Sequence, residues 1–436
     1  MEELIRHPLA YARWQRGWSQ SDLAQQMRDA ARRRGLRAGT SRQRVSLWEK
    51  RVIPDEFSQT LLSDVFGIPL ARTTALDWPL WLPGYETPAP LGAGLTLTVL
   101  RKAVLMGVDR RTFLAFAPAA LGSLALQWAT IDPALAAGAT GGRPVDPAFV
   151  DWLEKSASGL TSMPTVSRQH TGPLLDGHFE TVVNLLESGS YHRALGKRLH
   201  TLASALAQTI AWHRFDHERH ASANLYWHAA VHSAHAAGDT DMGAGALSDI
   251  AYQSIWLGRP RAAVECLGHA LSRTTNPTAR SLLFLRKARA HAMLGEARDC
   301  YRALARAETL LSSTIEEAPG WCAWMSPADL SVDTGRCLID LGLPGRAHDE
   351  IAQGVSLLPS TRNKTKAVFL AYEAESLLAH GEIQQAAEMA RRSLTLAKQI
   401  GASRCVQQIR DLSSRFSAYG SEDGVELLRH NVAMAN

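Results

Sequence analysis

The feature that most constrains this chain is a turn that keeps returning. Between long stretches rich in Ala and Leu, tight turns recur in WHRFDHERH near His217, SIWLGRPRAAVECL at Gly258, AMLGEARDCYRAL at Gly295, IDLGLPGRAHDEI at Gly342 and LLAHGEIQQAAEM at Gly381. Their spacings are 41, 37, 47 and 39 residues. Self-similarity of this kind marks an array of helix hairpins, because one hairpin cannot bury its apolar face alone and must stack on its neighbours. Small residues follow each glycine turn (Ala262-Ala263, Ala303, Ala347, Ala386-Ala387) and let paired helices approach closely. The expectation is an all-α chain in which residues 148–436 form an α-solenoid of about five elongated hairpins, with a last helix near residues 425–434.

The other end of the chain differs in charge. Residues 1–51 carry 12 Lys/Arg against 5 Asp/Glu, although the whole chain is only +5. A small basic head on a near-neutral body points toward nucleic acid. Local signals place helices there. One runs from about Pro8 to a break at Gly17. A second starts after Ser19, whose hydroxyl and the Asp22 carboxylate form a capping box, and continues through the basic run to about Arg34. A third starts after Thr40 or Ser41. A fourth, in DEFSQTLLSDVFGIP, turns Phe57, Leu61, Leu62, Val65 and Phe66 inward.

Two boxes in this head, Gly17-Trp-Ser-Gln-Ser-Asp-Leu-Ala24 and Val45-Ser-Leu-Trp-Glu49, resemble the helix-turn-helix of the phage-repressor (XRE) class, and the likeness spans residues 8–70. It implies a DNA-binding domain at residues 1–72. A recognition helix presents its N-terminal side chains to base edges, which here are Arg42, Gln43 and Arg44. Arg can grip guanine O6/N7 and Gln adenine N6/N7 in bidentate fashion. The resemblance assigns Gln20 to a phosphate. Ser41, Lys50 and Arg51 suit the DNA backbone, as do Arg33 and Arg34 of the extended second helix. Val45 and Trp48 are expected in the core. The chain departs from the family in having roughly eleven extra residues between Met27 and Ser41, and in lacking the usual Gly after Trp48-Glu49.

Residues 73–147 form a linker dense in Pro and Gly, whose Trp78 and Trp81 are expected to pack on a neighbouring domain. It contains GVDRRTFLAFAPAALGSLALQWATIDPALAAGA (107–139), which reads like a twin-arginine export signal. Three readings fit: a cleaved signal, a membrane span over residues 112–131, or a buried connecting helix. An export signal belongs at an N-terminus. Ser123, Gln127 and Thr130 make a polar stripe that a bilayer does not need but a packed helix can use. Pro118 also interrupts the run, so the residues favour the buried helix. Trp-Pro-x-Trp-Leu-Pro followed by Asp109-Arg110-Arg111-x-Phe113-Leu114 resembles actinobacterial regulators with an XRE-type head and a tetratricopeptide-like body, in which this segment is internal.

Little else suggests chemistry. No P-loop, GxSxG or GxGxxG occurs, so no enzyme and no cofactor are expected. Five scattered cysteines without a CxxC pair suit reduced thiols in the cytoplasm. His228, His232 and His235 share a helical spacing that could hold a metal or sense protons, but no Cys or carboxylate pair completes a set, and packing histidines are expected. Trp321 and Trp324, with His228 and His232, are candidates to line an effector groove. The function expected is a homodimeric regulator whose head binds a double-stranded operator and whose body receives a peptide, protein or small molecule. A repeat scaffold without sequence-specific DNA binding, and a membrane-anchored sensor, are the alternatives.

Overall fold

The structure, a computed structural model, describes all residues except 1–7, 15, 50–51, 69–77, 79–80, 83–90, 93–94, 108–117, 133–137, 140, 164–166, 168–169, 314–315, 421 and 436. The regular structure of the described residues is helical apart from a short parallel ladder, β1 (Arg143–Pro144) on β2 (Gly189–Ser190), and an isolated antiparallel bridge between Ala139 and Tyr191. The chain forms two compact units, one of residues 1–88 with 109–121 and one of residues 89–108 with 122–436.

The first unit is built from α1 (Pro8–Trp14), α2 (Gln20–Arg33), α3 (Arg42–Trp48) and α4 (Glu56–Phe66). Each later helix starts at a side-chain cap. The Ser19 hydroxyl accepts from the Asp22 amide (3.2 Å) while Asp22 accepts from the Ser19 amide (2.7 Å), the reciprocal box read from the sequence. Ser41 caps α3 and Asp55 caps α4 through the Ser58 amide (2.7 Å). Leu9, Leu23, Met27, Val45, Trp48, Leu61, Leu62 and Phe66 meet in one core. Trp81 and Leu82 are buried in it too, and the Trp81 indole donates to Gln59 (3.1 Å). Phe57 departs from expectation. It is 41% exposed, and Ser58, one residue on, takes the buried place in the i, i+4 row with Leu62 and Phe66.

The second unit opens with α5 (Thr96–Gly107), α6 (Pro118–Thr130, from Gly122 onward), α7 (Pro147–Ser162) and α8 (Gly172–Ser188). Five hairpins follow: α9 (Arg193–Asp216) with α10 (His220–Ala237), α11 (Thr240–Trp256) with α12 (Pro260–Leu271), α13 (Pro277–Met293) with α14 (Ala297–Ser312), α15 (Pro327–Asp340) with α16 (Pro344–Leu357), and α17 (Asn363–His380) with α18 (Ile383–Gln399). The single helices α19 (Ser403–Ser414) and α20 (Asp423–Ala433) pack on α18.

The hairpin turns fall where the sequence placed them. Gly258, Gly295, Gly342 and Gly381 have φ between 71° and 90°, the left-handed region that favours glycine. The first turn has no glycine, and Glu218 takes the strained value instead (φ 60°). The alanines after the turns are buried, as expected. A hydrogen-bond register also repeats. Ser204 donates to the Ala230 carbonyl (2.9 Å), Ser281 to Ala307 (2.7 Å) and Ser393 to Ala367 (2.7 Å), each across 26 residues.

Of the export-like stretch, residues 122–130 are helical and bury one face within this unit, while Leu126 on the other face is 49% exposed. Trp128 is 1% exposed, stacks edge-on against His235 (5.9 Å) and lies over Gly243, where an added Cβ would fall 1.9 Å from the ring. Gln127 accepts from the Leu91 amide (2.8 Å), which gives the polar stripe a partner. Among the described residues, no helix is long and apolar enough to cross a membrane. Arg110 and Arg111 lie outside the described residues.

Candidate nucleic-acid interface and the interior of the repeat unit

α3 is short and two-sided. Val45 and Trp48 are buried in the head core, whereas Arg42, Gln43, Arg44 and Leu47 are exposed. The helix is held at its far end by a buried ion pair. Arg13 Nε donates to Glu49 (2.8 Å), its Nη1 donates to the Trp18 carbonyl (2.7 Å), and Gln20 Nε2 donates to the second Glu49 oxygen (2.6 Å). One carboxylate thus joins α1, the start of α2 and the end of α3. Breaking a buried pair of this kind strands a charge and costs about 3–5 kcal/mol.

The expected backbone-binding residues divide. Gln20 is engaged with Glu49, so its amide is already oriented and keeps one N–H for another acceptor. Ser41 is occupied as a cap. Arg33 is exposed. Arg34 is paired with Asp64 (Nε to Oδ2, 2.6 Å), which neutralises a charge that the sequence reading left free. The extension of α2 folds back in part, since Arg28 donates to the Thr40 carbonyl (2.6 Å) and so braces the loop entering α3. Lys50 and Arg51 lie outside the described residues.

In the second unit the expected effector residues are mostly not accessible. His228 and His232 are 2% and 1% exposed. Their i, i+4 spacing looks like one face of a helix, but α10 is buried on every side from Ala221 to Ala237, so it has no solvent face. Burial drives the His228 imidazole down to about 3 and those of His200 and His220 down to about 4. These rings are packed and neutral near pH 7. Trp321 also corrects the expectation, because its ring covers Gly245 and joins the core around Ala279 and Cys300. Trp324 alone of the four is exposed, with the Arg362 guanidinium over its ring (5.7 Å).

What fills the inner side of the array is not encoded in any local spacing. Successive first helices α9, α11, α13, α15, α17 and α19 pack on one another, and α9 also touches α19. Their facing side chains form an ion-paired lattice. Asp249 accepts from Gln208 (2.7 Å), Trp212 (2.8 Å) and Arg286 (2.7 Å). Arg289 reaches Asp333 (2.6 Å) and lies over Tyr372, and Arg336 bridges Asp340 and Glu375. The lattice ends at Asp216, which accepts from Lys364 and from Arg404 (Nε, 3.4 Å). Burial would raise the Asp216 carboxyl, but the two cations outweigh it and hold the group below its ordinary range. Apart from the i, i+4 pair Arg336–Asp340, these partners are 37 to 188 residues apart, so no local spacing could reveal them.

As to metals, His291, Glu296 and Asp299 bring ligand atoms within 4.8 Å of one another at the α13–α14 turn. That group has inward uses already: His291 meets Glu296 (2.6 Å) and Asp299 takes Arg302 (2.9 Å). All five cysteines are free and buried.

The head matches one family model. It is described as SP15 N-terminal domain and covers residues 9–78. No curated protein matches the chain. Among solved structures, a Rap protein complexed with competence and sporulation factor is similar at 10% identity over 66% of this chain and 98% of that one, with a TM-score of 0.41. The APC/C hetero-tetramer Cut9-Hcn1 is similar at 14% identity over 79% and 57%, with a TM-score of 0.32.

Proposed function

We propose that this chain is a sequence-specific DNA-binding regulator, with a helix-turn-helix head of the XRE type and a tetratricopeptide-like body that senses an effector. The observation that carries the reading is α3: three polar side chains at its start are exposed, its opposite face is locked in the core, and its end is held by the Arg13–Glu49–Gln20 cluster. A rigid helix with Arg, Gln and Arg at its first turn suits major-groove readout. The regulator is cytoplasmic and works as a homodimer, since paired half-sites are how such heads gain specificity. The effector, a peptide, protein or small molecule, acts by shifting the population of body conformations.

The test is capture of genomic DNA fragments by the full chain and by the Arg42→Ala/Gln43→Ala variant at two salt concentrations. Enrichment of a few sites that the variant loses, while salt-sensitive background binding persists, supports the reading. Equal, featureless capture by both proteins refutes it.

A scaffold role has one observation of its own. Phe149, Trp152 and His178 stack in a row on α7 and α8 (5.8 and 5.9 Å), and Trp152 is 56% exposed. Exposed aromatic rows suit protein partners. Alanine at Trp152 would then abolish partner capture and leave DNA binding intact.

A further inference from the structure

At the end of the lattice two cations share one carboxylate. Lys364 Nζ and Arg404 Nε both donate to Asp216, and among the described residues no other carboxylate lies within ion-pair distance of either. Arg404 is 3% exposed and is clamped between Phe215 (4.8 Å) and Trp256 (4.7 Å), so water cannot compensate it. Its Nη1 is fully buried and meets no acceptor among the described residues. A buried N–H without a partner is costly, and an uncompensated buried cation more so. The node is not sealed, because the Lys364 side chain is 31% exposed and its ammonium lies over the Trp212 ring (5.3 Å). It therefore combines one excess positive charge, an orphaned donor, aromatic walls and a cation that reaches solvent.

We propose that the Asp216–Lys364–Arg404 node is an oxyanion-binding site that takes a carboxylate or phosphate group of the effector. The anion accepts from Arg404 Nη1 and from Lys364, and Asp216 is its internal competitor. Because these residues come from α9, α17 and α19, a bound anion changes how the two ends of the row of first helices, α9 and α19, are tied together. This assignment rests on the sensing role proposed for the body and specifies the ligand chemistry.

The experiment measures binding of inorganic phosphate and of glutarate to the full chain by calorimetry and thermal shift, against a sodium chloride background of equal ionic strength. Whichever anion saturates identifies the head group. Lys364→Gln is expected to weaken binding about tenfold through loss of one charge-assisted hydrogen bond. Lys366→Gln, a neighbouring charge control, leaves it unchanged. Asp216→Asn is expected to tighten binding at least about tenfold, because it removes the competing carboxylate, and its lowered melting temperature is restored by the anion. If neither anion saturates in the parent or in Asp216→Asn, or if Lys364→Gln binds like the parent, the site is refuted whatever the head does with DNA. If the anion binds but leaves operator affinity unchanged, the site stands and its sensory role fails.

Discussion

Three neutral histidines buried in the repeat unit make its stability fall as the medium becomes mildly acidic. His200 and His220 are held down at about 4 and His228 at about 3, by burial first, with Arg404 and Arg259 adding to the effect at His220. The unfolded imidazole titrates near 6.5. Above that value neither state is charged and the full stability is present. As pH falls through 6.5 the unfolded chain takes up protons that the folded chain refuses, so stability is lost until the folded values are reached. Between pH 7 and pH 5 each ring costs about 1.8 kcal/mol, or about 5 kcal/mol for the three. That is a large part of a typical stability, and it lowers the melting temperature on the order of 10 °C. Asp333 works in the opposite direction, because burial raises its carboxyl. It cancels when a variant is compared with its parent. Thermal unfolding at pH 7, 6 and 5, followed by circular dichroism, gives the slope, and His200→Gln and His220→Gln should each reduce the loss between pH 7 and pH 5 by about 1.8 kcal/mol. A parent with no slope, or single variants as steep as the parent, would refute the reasoning.

Other outcomes can be checked alongside. Arg42→Ala should cost about 1–3 kcal/mol of operator discrimination at one base pair, read by competition binding, with the melting temperature unchanged. Glu49→Ala should lower stability by about 3–5 kcal/mol through the stranded Arg13, as measured by denaturant unfolding. Gly243→Ala drives a methyl into the Trp128 ring and should cost about 1–3 kcal/mol, visible as a shift in tryptophan fluorescence and an earlier melt. If Trp128 instead lay in lipid, that substitution would leave the melt unchanged.

What could be read from the sequence was what depends on neighbours in sequence. Ser19 with Asp22, Ser41 before α3, and the glycine turns are local devices, and each appeared where its residue type demanded. Val45 and Trp48 followed from their place on α3. The histidines of α10 were harder, because a spacing of four and three residues defines a face but not whether that face is wet, and here tertiary packing covers it all. Arg34 illustrates the same limit: its sequence context is basic, yet Asp64, 30 residues on, neutralises it. The lattice from Asp249 to Arg404 was illegible because stacking of repeats, not chain proximity, brings its members together.

The serine-to-carbonyl bonds across 26 residues have a consequence for how this array can vary in length. They act as a ruler inside a hairpin and say nothing about the distance between hairpins. The longest gap between turn glycines, from Gly295 to Gly342, accordingly places its surplus between α14 and α15, in residues 313–326 with Trp321 and Trp324, while Ser281 and Ala307 keep the common interval. Length is thus a property of the joints and register a property of the units. A graft of foreign sequence at Glu316, ahead of the Asn276–Glu317 bond (3.1 Å) and of Ala318 on the core, should be absorbed as a longer joint, whereas a single residue added between Ser281 and Ala307 should put the hairpin out of step with itself.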